Sequence, residues 1–507
     1  EHGDGLVRSQ FNREIFGEAL YSAMREVKGL FDPDGILNPG KVVDAPAMTE
    51  QLRVLGPAPP HRTTLIFPDG MRAAADRCQN IGLCRKTSAG VMCPSFMATG
   101  DEQHAPRGRA AALVKALSDP DPATALAGDR LHEILDLCLM CKACTSECPL
   151  DVDISAMKAE ALAARHAVHG VPLRSRVFAH IRTLNRLGAL TAPVSTAVLR
   201  ARPTRGALAR ALGLAPQRPL PEFHRQHAIR WFGRRHAATT DSPGSPGSAA
   251  GAAPVTVLAD SFTTFTEPQV LQAAVTLLER AGHPVRLEHR GCCGRAALSK
   301  GLTERAAGQA RRLAARLAGQ TVVGVEPSCT GMLRERRLGL DVAVSEIEPL
   351  LLTALDEHRL TLAEDSWLSG RRILLHGHCH QKADVGTAAT MQLLRRIPGA
   401  EVAELDAGCC GMAGSFGFER DHYDISLQGG EDRLFPAVRA AAPEAVIAAT
   451  GTSCPAVRSE PDTTVLVATG VSCRQQVAHG TGRQAVHPLV LLAGIVASSP
   501  VAPTDQA

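Results

Sequence analysis

The stretch CLMCKACTSECP, residues 138–149, decides how the rest of the chain is read. Its thiols Cys138, Cys141, Cys144 and Cys148, followed by Pro149, have the spacing C-x2-C-x2-C-x3-C-P. In such a run three closely spaced thiolates wrap one iron–sulfur cluster while the fourth reaches a second. A structural zinc site is the competing use of clustered cysteines, but zinc takes two pairs of ligands rather than an evenly spaced triplet with a trailing Cys-Pro.

Upstream, Cys78, Cys84 and Cys93 with Pro94 form a looser partner, C-x5-C-x8-C-P. In a crossed arrangement Cys93 completes the cluster of Cys138, Cys141 and Cys144, and Cys148 joins Cys78 and Cys84. That second site has three cysteines, which leaves a three-iron cluster, a non-cysteine ligand, or no second cluster. Either one or two 4Fe-4S clusters are expected. The amphipathic VDISAMKAEALAARHAV, residues 152–168, follows directly, so residues 65–165 read as a compact helical metal domain.

Toward the C-terminus, residues 166–253 form a basic helical segment and a linker. Residues 171–236 hold thirteen arginines, no lysine and one acid, Glu222. Such a face is either solvated surface packed on its neighbour or a docking face for an anionic membrane. TTDSPGSPGSAAGAAP, residues 239–254, is the composition of a flexible linker.

Two stretches built alike follow, 254–370 and 371–497. Each has a β-like run (VTVLAD; RRILLHGHCH), a helix, a Cys-Cys-Gly, another helix, and a β-run ending at cysteine (VVGVEPSC; VIAATGTSC). Strands alternating with helices predict parallel sheets with cysteines at strand ends, where open α/β sheets place ligands.

Each Cys-Cys-Gly, at Cys292, Cys293 and Gly294 and at Cys409, Cys410 and Gly411, sets two thiols beside a residue that lets backbone approach closely. With Cys329 in the first repeat, and Cys379 among His376, His378 and His380 in the second, they suggest a further metal or cluster site. Buried structural cysteines or a redox-active pair are the alternatives. The histidines of HGHCH are as readily packing or orienting groups as ligands. The first repeat has Asp260 and Ser261 where the second has Cys379, and is short of a thiolate. Near the end ATGTSC at Cys454 is echoed by ATGVSC at Cys473: spacing from Cys410 favours Cys454, context favours Cys473.

Composition narrows the rest. Fifteen cysteines in 507 residues, clustered rather than dispersed, suit metal ligation in a reducing compartment better than a disulfide scaffold. Two Trp and two Tyr leave little for stacking on single-stranded nucleic acid, so no nucleic-acid partner is expected. The apolar run 487–502 falls short of the ~20 residues a spanning helix needs. The opening EHGDGLVRS, beginning at Glu1, reads as cut from inside a domain, so the chain is expected to be a fragment.

These motifs resemble those of bacterial fusion flavoproteins that join an FAD-linked oxidase to an iron–sulfur half, related to D-lactate and D-2-hydroxyglutarate dehydrogenases. EHGDGLVRS, FDPDGILNPGK, CQNIGLCRKTSAGVMCPSF, EPSC, HGHCHQK and GCCGMAGSFG carry the likeness. The resemblance implies a multidomain α/β and α fold. Residues 1–45 end an FAD-linked oxidase substrate domain; a helical ferredoxin-like domain and two α/β Cys-Cys-Gly repeats follow.

It further implies that Glu1 is a ligand to a divalent metal and His2 the catalytic base. The cofactor would be FAD, held mostly by a preceding domain; the substrate a small 2-hydroxy acid; the acceptor a quinone, a cytochrome or a flavoprotein. The location would be cytoplasmic, at the inner face of the membrane if that contact is made. The alternative is a stand-alone electron carrier like the iron–sulfur subunits of glycolate oxidase, glycerol-3-phosphate dehydrogenase or heterodisulfide reductase.

Overall fold

A computed structural model describes residues 3–50, 56–240, 253–441 and 464–497. Glu1, His2, Cys454, VIAATGTSC and most of the 239–254 linker therefore lie outside the described residues. The chain divides into two compact units, Glu1–Ala58 and Pro59–Ala507.

In the first unit a helix runs over Asn12–Phe31, with a kink at Gly17 where φ is +74°. The turn-rich FDPDGILNPGK is organised by buried Asp32, whose carboxylate accepts from the Ile36 and Leu37 amides at 2.8 and 3.0 Å and from Lys28. Asn12 ties the helix to this loop by donating to the Val42 carbonyl at 3.0 Å. Ile15, Leu30, Phe31 and Ile36 stay exposed.

The second unit begins with short helices around the helix Ile154–His169, whose first eight residues are all buried. It continues with Leu173–Ala179, Ile181–Leu190, Val194–Arg200 and Arg202–Leu212, the arginine-rich stretch.

Two wholly parallel sheets follow. Strands β1 (Val255–Leu258), β2 (Val285–Glu288), β3 (Thr321–Gly324) and β4 (Val344–Glu346) lie in the order β2-β1-β3-β4, with Val255 opposite Val285 and Thr321. Strands β5 (Arg372–His376), β6 (Glu401–Glu404) and β7 (Thr464–Ala468) lie in the order β6-β5-β7, with Ile373 opposite Val402 and Val465. β1 and β5 are buried central strands and read as continuous apolar runs, as parallel strands covered on both faces do. Their residues Val257, Ile373 and Leu375 join Val323 and Val467 in one core that spans both sheets. The expected duplication is thus a single packed pair.

The sequence reading missed β4 and β7, and it also missed β2 and β6. Both are four-residue edge strands, VRLE and EVAE, carrying charge and only partly buried, as edge strands are. Each hands the chain directly to a Cys-Cys-Gly.

Candidate functional site

Every cysteine of the two repeats that falls in described residues sits just beyond the carboxyl end of a strand, where open parallel sheets bind ligands. Cys292 and Cys293 follow β2, Cys329 follows β3, Cys379 follows β5, Cys409 and Cys410 follow β6, and Cys473 follows β7. All fourteen cysteines in the described residues are free thiols.

The repeats correspond at the positions that carry their cysteines. Asp260 caps the helix Ser261–Phe265 and His378 caps the helix Cys379–Asp384, each accepting from amides of the following turn. Ser261, the first residue of its helix, therefore holds the place of Cys379, and Asp260 is a cap rather than a substitute ligand. Cys329 and Cys473 are each the third residue of the helix after the corresponding strand, Pro327–Leu333 and Val471–Thr481. Cys473 is thus the counterpart of Cys329. Gly294 and Gly411 share one constraint: φ is +88° and +85°, and a Cβ would collide with the backbone carbonyls of Ala306 and Ser426.

In the second repeat Cys409 neighbours both Cys379 and Cys410, and Cys410 also neighbours Cys473 and His376. Cys409, with His378 and Arg295 nearby, holds Cys379 down at about 7 despite burial. Cys410 is lowered by Cys409, Cys473 and His376, while the donors Cys409 and Cys473 are raised. The second repeat thus gathers four buried thiols at one sheet end, and thiolates are what ligate iron. In the first repeat Cys293 donates to Cys329 at 3.2 Å.

Of the HGHCH histidines, His376 lies beside Cys410 and His378 beside Cys379. His378 caps its helix, and His380 contacts the Met140 carbonyl at 3.0 Å. Among the described residues no three His, Cys, Asp or Glu side chains are set around a single metal ion.

In the helical region Cys93, Cys138, Cys141 and Cys144 line one small cavity. Met140 and Lys142, flanking Cys141, have φ of +54° and +67°, left-handed conformations that bend the loop sharply around its thiols. Two buried cations, Arg109 and Lys158, and the half-buried Lys142 hold the loop. Arg109 donates to Cys93 Sγ at 3.6 Å and to the Ile134 carbonyl, and Lys158 to the Asp136 and Cys138 carbonyls at 2.8 Å. Lys142 pairs with Asp153 at 3.0 Å and with Glu335. Four thiols converging among buried cations fit a thiolate-ligated anionic cluster, whose outer shell of donors orients and stabilises it. Burial, with Cys93 and Cys78 nearby, pushes the Cys84 thiol up. Glu147, beside Cys148, accepts from the Val91 and Met92 amides at 2.6 and 3.2 Å and so ties the two Cys-Pro segments together.

The two regions meet at Cys141, which is raised well above its ordinary value by burial and by the neighbouring Cys379, Cys93 and Cys144. Arg295, next to the first Cys-Cys-Gly, donates to the Met140 carbonyl at 2.7 Å and lies 3.1 Å from His380 Nε2. A cavity of about 420 Å³ has Cys141, Cys292, Cys293, Cys329, Cys379 and Cys410 in its wall. Sequence reasoning missed Arg295, Arg109 and Lys158; lone basic residues at helical spacing give no sign that they will be buried against a thiol loop.

A second bridge joins His422 to Asp136 at 2.7 Å and to Glu419 at 3.4 Å. Burial lowers His422, but the bonds to Asp136 and Glu419 outweigh it and the net shift is upward. Burial raises the two carboxylates, yet His422 holds Asp136 well below its usual range, and His422, Lys300 and Arg174 hold Glu419 near 2. A raised histidine stabilises below its unfolded value of about 6.5 and loses this as pH rises through its folded value. Depressed carboxylates stabilise above about 4 and lose it as pH falls. The stability difference between the native chain and His422→Gln, from urea titrations, should therefore peak between about pH 4 and 6.5 and shrink on both sides. A pH-independent difference would mean that the pair carries no charge.

Residues 1–42 match the family described as FAD linked oxidases, C-terminal domain; residues 72–152 match the 4Fe-4S dicluster domain; residues 258–334 and 373–454 match the Cysteine-rich domain. The chain is 28% identical to D-2-hydroxyglutarate dehydrogenase of Escherichia coli (strain K12), over 90% of this chain and 49% of that protein. The chain is like the FAD and iron–sulfur dehydrogenases of D-2-hydroxy acids.

The corresponding dehydrogenase of Pantoea ananatis is 27% identical over 90% of this chain and 48% of its own length. The C subunit of anaerobic glycerol-3-phosphate dehydrogenase from E. coli (strain K12) is 27% identical over 64% of this chain and 78% of its own. This chain spans about half the length of the dehydrogenases it matches. No solved structure matches. The matched domains support FAD and iron–sulfur clusters as the cofactors, and the thiols of 72–152 are the donors such clusters need.

Proposed function

We propose that this chain is the electron-exit half of an FAD-dependent dehydrogenase that oxidises a D-2-hydroxy acid, of the D-lactate or D-2-hydroxyglutarate type. The observation that carries the reading is Cys141: it lies in the thiol cavity of the dicluster region and also in the wall of the cavity shared by both Cys-Cys-Gly repeats. Bound at Cys93, Cys138, Cys141 and Cys144, a cluster would supply one-electron acceptance. Cys78, Cys84 and Cys148 would serve the second cluster.

The chain's own residues do the rest. Arg109 and Lys158 favour added negative charge at the loop, Arg295 and His380 fix the Met140 carbonyl, and burial excludes water. Cys379, Cys409, Cys410 and Cys473 form the receiving thiol group, and Cys292, Cys293 and Cys329 a reduced counterpart. The exposed Ile15, Leu30, Phe31 and Ile36 of the first unit would be covered by an FAD-binding domain, beside which Glu1 would ligate a divalent metal and His2 would take the substrate's hydroxyl proton. The match of residues 1–42 to an oxidase domain favours this over the stand-alone carrier, which the likeness to the glycerol-3-phosphate dehydrogenase C subunit otherwise supports.

The test is to join the chain to an FAD-binding domain and follow dye reduction by D-2-hydroxyglutarate and D-lactate. Turnover is expected, with His2→Ala lowering it by about 10²–10⁴-fold. Unchanged turnover in His2→Ala would remove that residue from catalysis, and bleaching of the flavin without any bleaching of the iron–sulfur absorbance would end the exit-half reading.

A further inference from the structure

The two repeats are unequal in thiols. In the sheet order β2-β1-β3-β4 the strand β1 is flanked by β2 and β3, and in β6-β5-β7 the strand β5 is flanked by β6 and β7. The flanking strands lead to cysteines in both sheets, but the middle strand leads to Cys379 in the second and to Ser261 in the first. The first repeat therefore gathers Cys292, Cys293 and Cys329 and no fourth thiol of its own.

Among the described residues no other donor fills the fourth place. The Asp260 carboxylate accepts from the Phe262 and Thr263 amides at 2.8 and 3.0 Å and from the Thr263 hydroxyl. Glu326, in the wall of the 420 Å³ cavity, accepts from the Ser328 hydroxyl at 2.9 Å and the Val471 amide at 3.1 Å. His378 and His380, in the same wall, are engaged with the His380 amide and the Met140 carbonyl. Cys141, Cys379 and Cys410 belong to the cluster loop and the second repeat. A Ser261 hydroxyl is a hard donor where iron–sulfur clusters select soft thiolates. The first repeat thus does not fit a four-thiolate cluster.

It fits a disulfide. Cys293 and Cys329 are 5 and 8% exposed, and their Sγ atoms lie 3.2 Å apart. A bond between them requires an approach of only about 1 Å. Both thiols line the cavity that Cys141 also lines, so the pair sits beside the cluster loop.

From this geometry we infer that the first repeat holds a dithiol–disulfide couple, Cys293 with Cys329, in place of a cluster, and that this couple exchanges electrons with the iron–sulfur loop at Cys141. This rests on the reading of the chain as an electron-exit half and adds a two-electron store to it. On reduction the Sγ–Sγ bond breaks: two electrons arrive one at a time from reduced clusters, two protons come from water, and two thiols result. On re-oxidation the bond re-forms, both electrons return to oxidised clusters and both protons to water. A flavin releases electrons in pairs per turnover whereas a cluster carries one, so a paired store beside the loop holds what one turnover delivers. A transient, redox-active disulfide is also the kind found in a reducing compartment.

The test uses the anaerobically purified full chain. Samples poised at a series of potentials with soluble dye mediators are quenched in acid, alkylated and digested, and the peptides are read by mass spectrometry. A linked peptide pair carrying Cys293 and Cys329 should accumulate at oxidising poise and vanish at reducing poise. Full alkylation of both cysteines at every poise, or linkage of Cys293 to Cys292 instead, would overturn the inference. In dithionite titrations the oxidised native chain should take up two electrons more than the Cys293→Ala/Cys329→Ala variant with equal bleaching of the visible absorbance, and the two chains should hold equal iron and sulfide. Equal electron uptake, or iron lost from a variant that keeps the native urea midpoint, would place a cluster or nothing redox-active in the first repeat and overturn the inference. Should the variant not fold, the linked peptide of the native chain decides alone. Extra uptake that survives in Cys141→Ser would overturn the route through the cluster loop. A native chain without iron would end the electron-exit reading, a separate result that the linked peptide does not share.

Discussion

Cys141→Ser is expected to strip the chain of the iron held at Cys93, Cys138, Cys141 and Cys144, roughly half of the total in a two-cluster protein. A serine hydroxyl is a poor substitute for thiolate, and the position tolerates little adjustment. Cys141 is flanked by two residues in left-handed conformations, its carbonyl neighbour Met140 is gripped by Arg295 and His380, and its thiol faces Cys379 as well as its own loop. The same change should break electron passage into the second repeat. Cys410→Ser leaves the four-thiol cavity intact and should keep its iron. Iron and acid-labile sulfide, measured side by side on the two variants, check this; native iron content in Cys141→Ser would remove the residue from the site.

Asp153→Ala should be the most destabilising single change near the site, about 3–5 kcal/mol, because removing one partner leaves buried charge uncompensated. Asp153 is 3% exposed and holds three elements together. It pairs with Lys142 of the cluster loop at 3.0 Å, pairs with Arg337 of the first repeat at 2.9 Å, and caps its own helix through the Ala156 amide at 3.0 Å. The cap alone is worth about 1 kcal/mol. Lys142 and Arg337 hold the carboxylate far below its ordinary range against the opposing effect of burial. Its stabilisation is therefore present above about pH 4 and lost as pH falls. Urea midpoints of native chain and variant should differ strongly at neutral pH and converge in acid; a difference under about 1 kcal/mol would mean that Glu335 and solvent already satisfy both cations.

The cysteine spacing and the apolar runs make the candidate thiols and the strands β1, β3 and β5 legible in the amino-acid sequence. C-x2-C-x2-C-x3-C-P is a local code, and VTVL and RILLH are central strands whose burial on both faces is written in consecutive apolar residues. β2 and β6 were not legible, because four partly exposed residues bearing charge look like loop. The equivalence of Ser261 with Cys379, and of Cys329 with Cys473, also needed the fold: sequence offsets differ between the repeats, whereas position within the first helical turn does not. Cys454 falls outside the described residues, so the choice expressed by spacing and context now has geometry for Cys473 alone. Arg109, Lys158 and Arg295 were invisible because burial of a long basic side chain depends on partners distant in sequence.

If the thiols of residues 78–148 and of the two repeats serve iron–sulfur chemistry, the metal content of the chain must show it. The most direct measurement is anaerobic purification of this chain with quantitation of iron, zinc and acid-labile sulfide beside the visible spectrum. The expected result is a brown protein with iron and sulfide in nearly equal amounts, bleached by dithionite. A colourless protein holding zinc and no labile sulfide would contradict it.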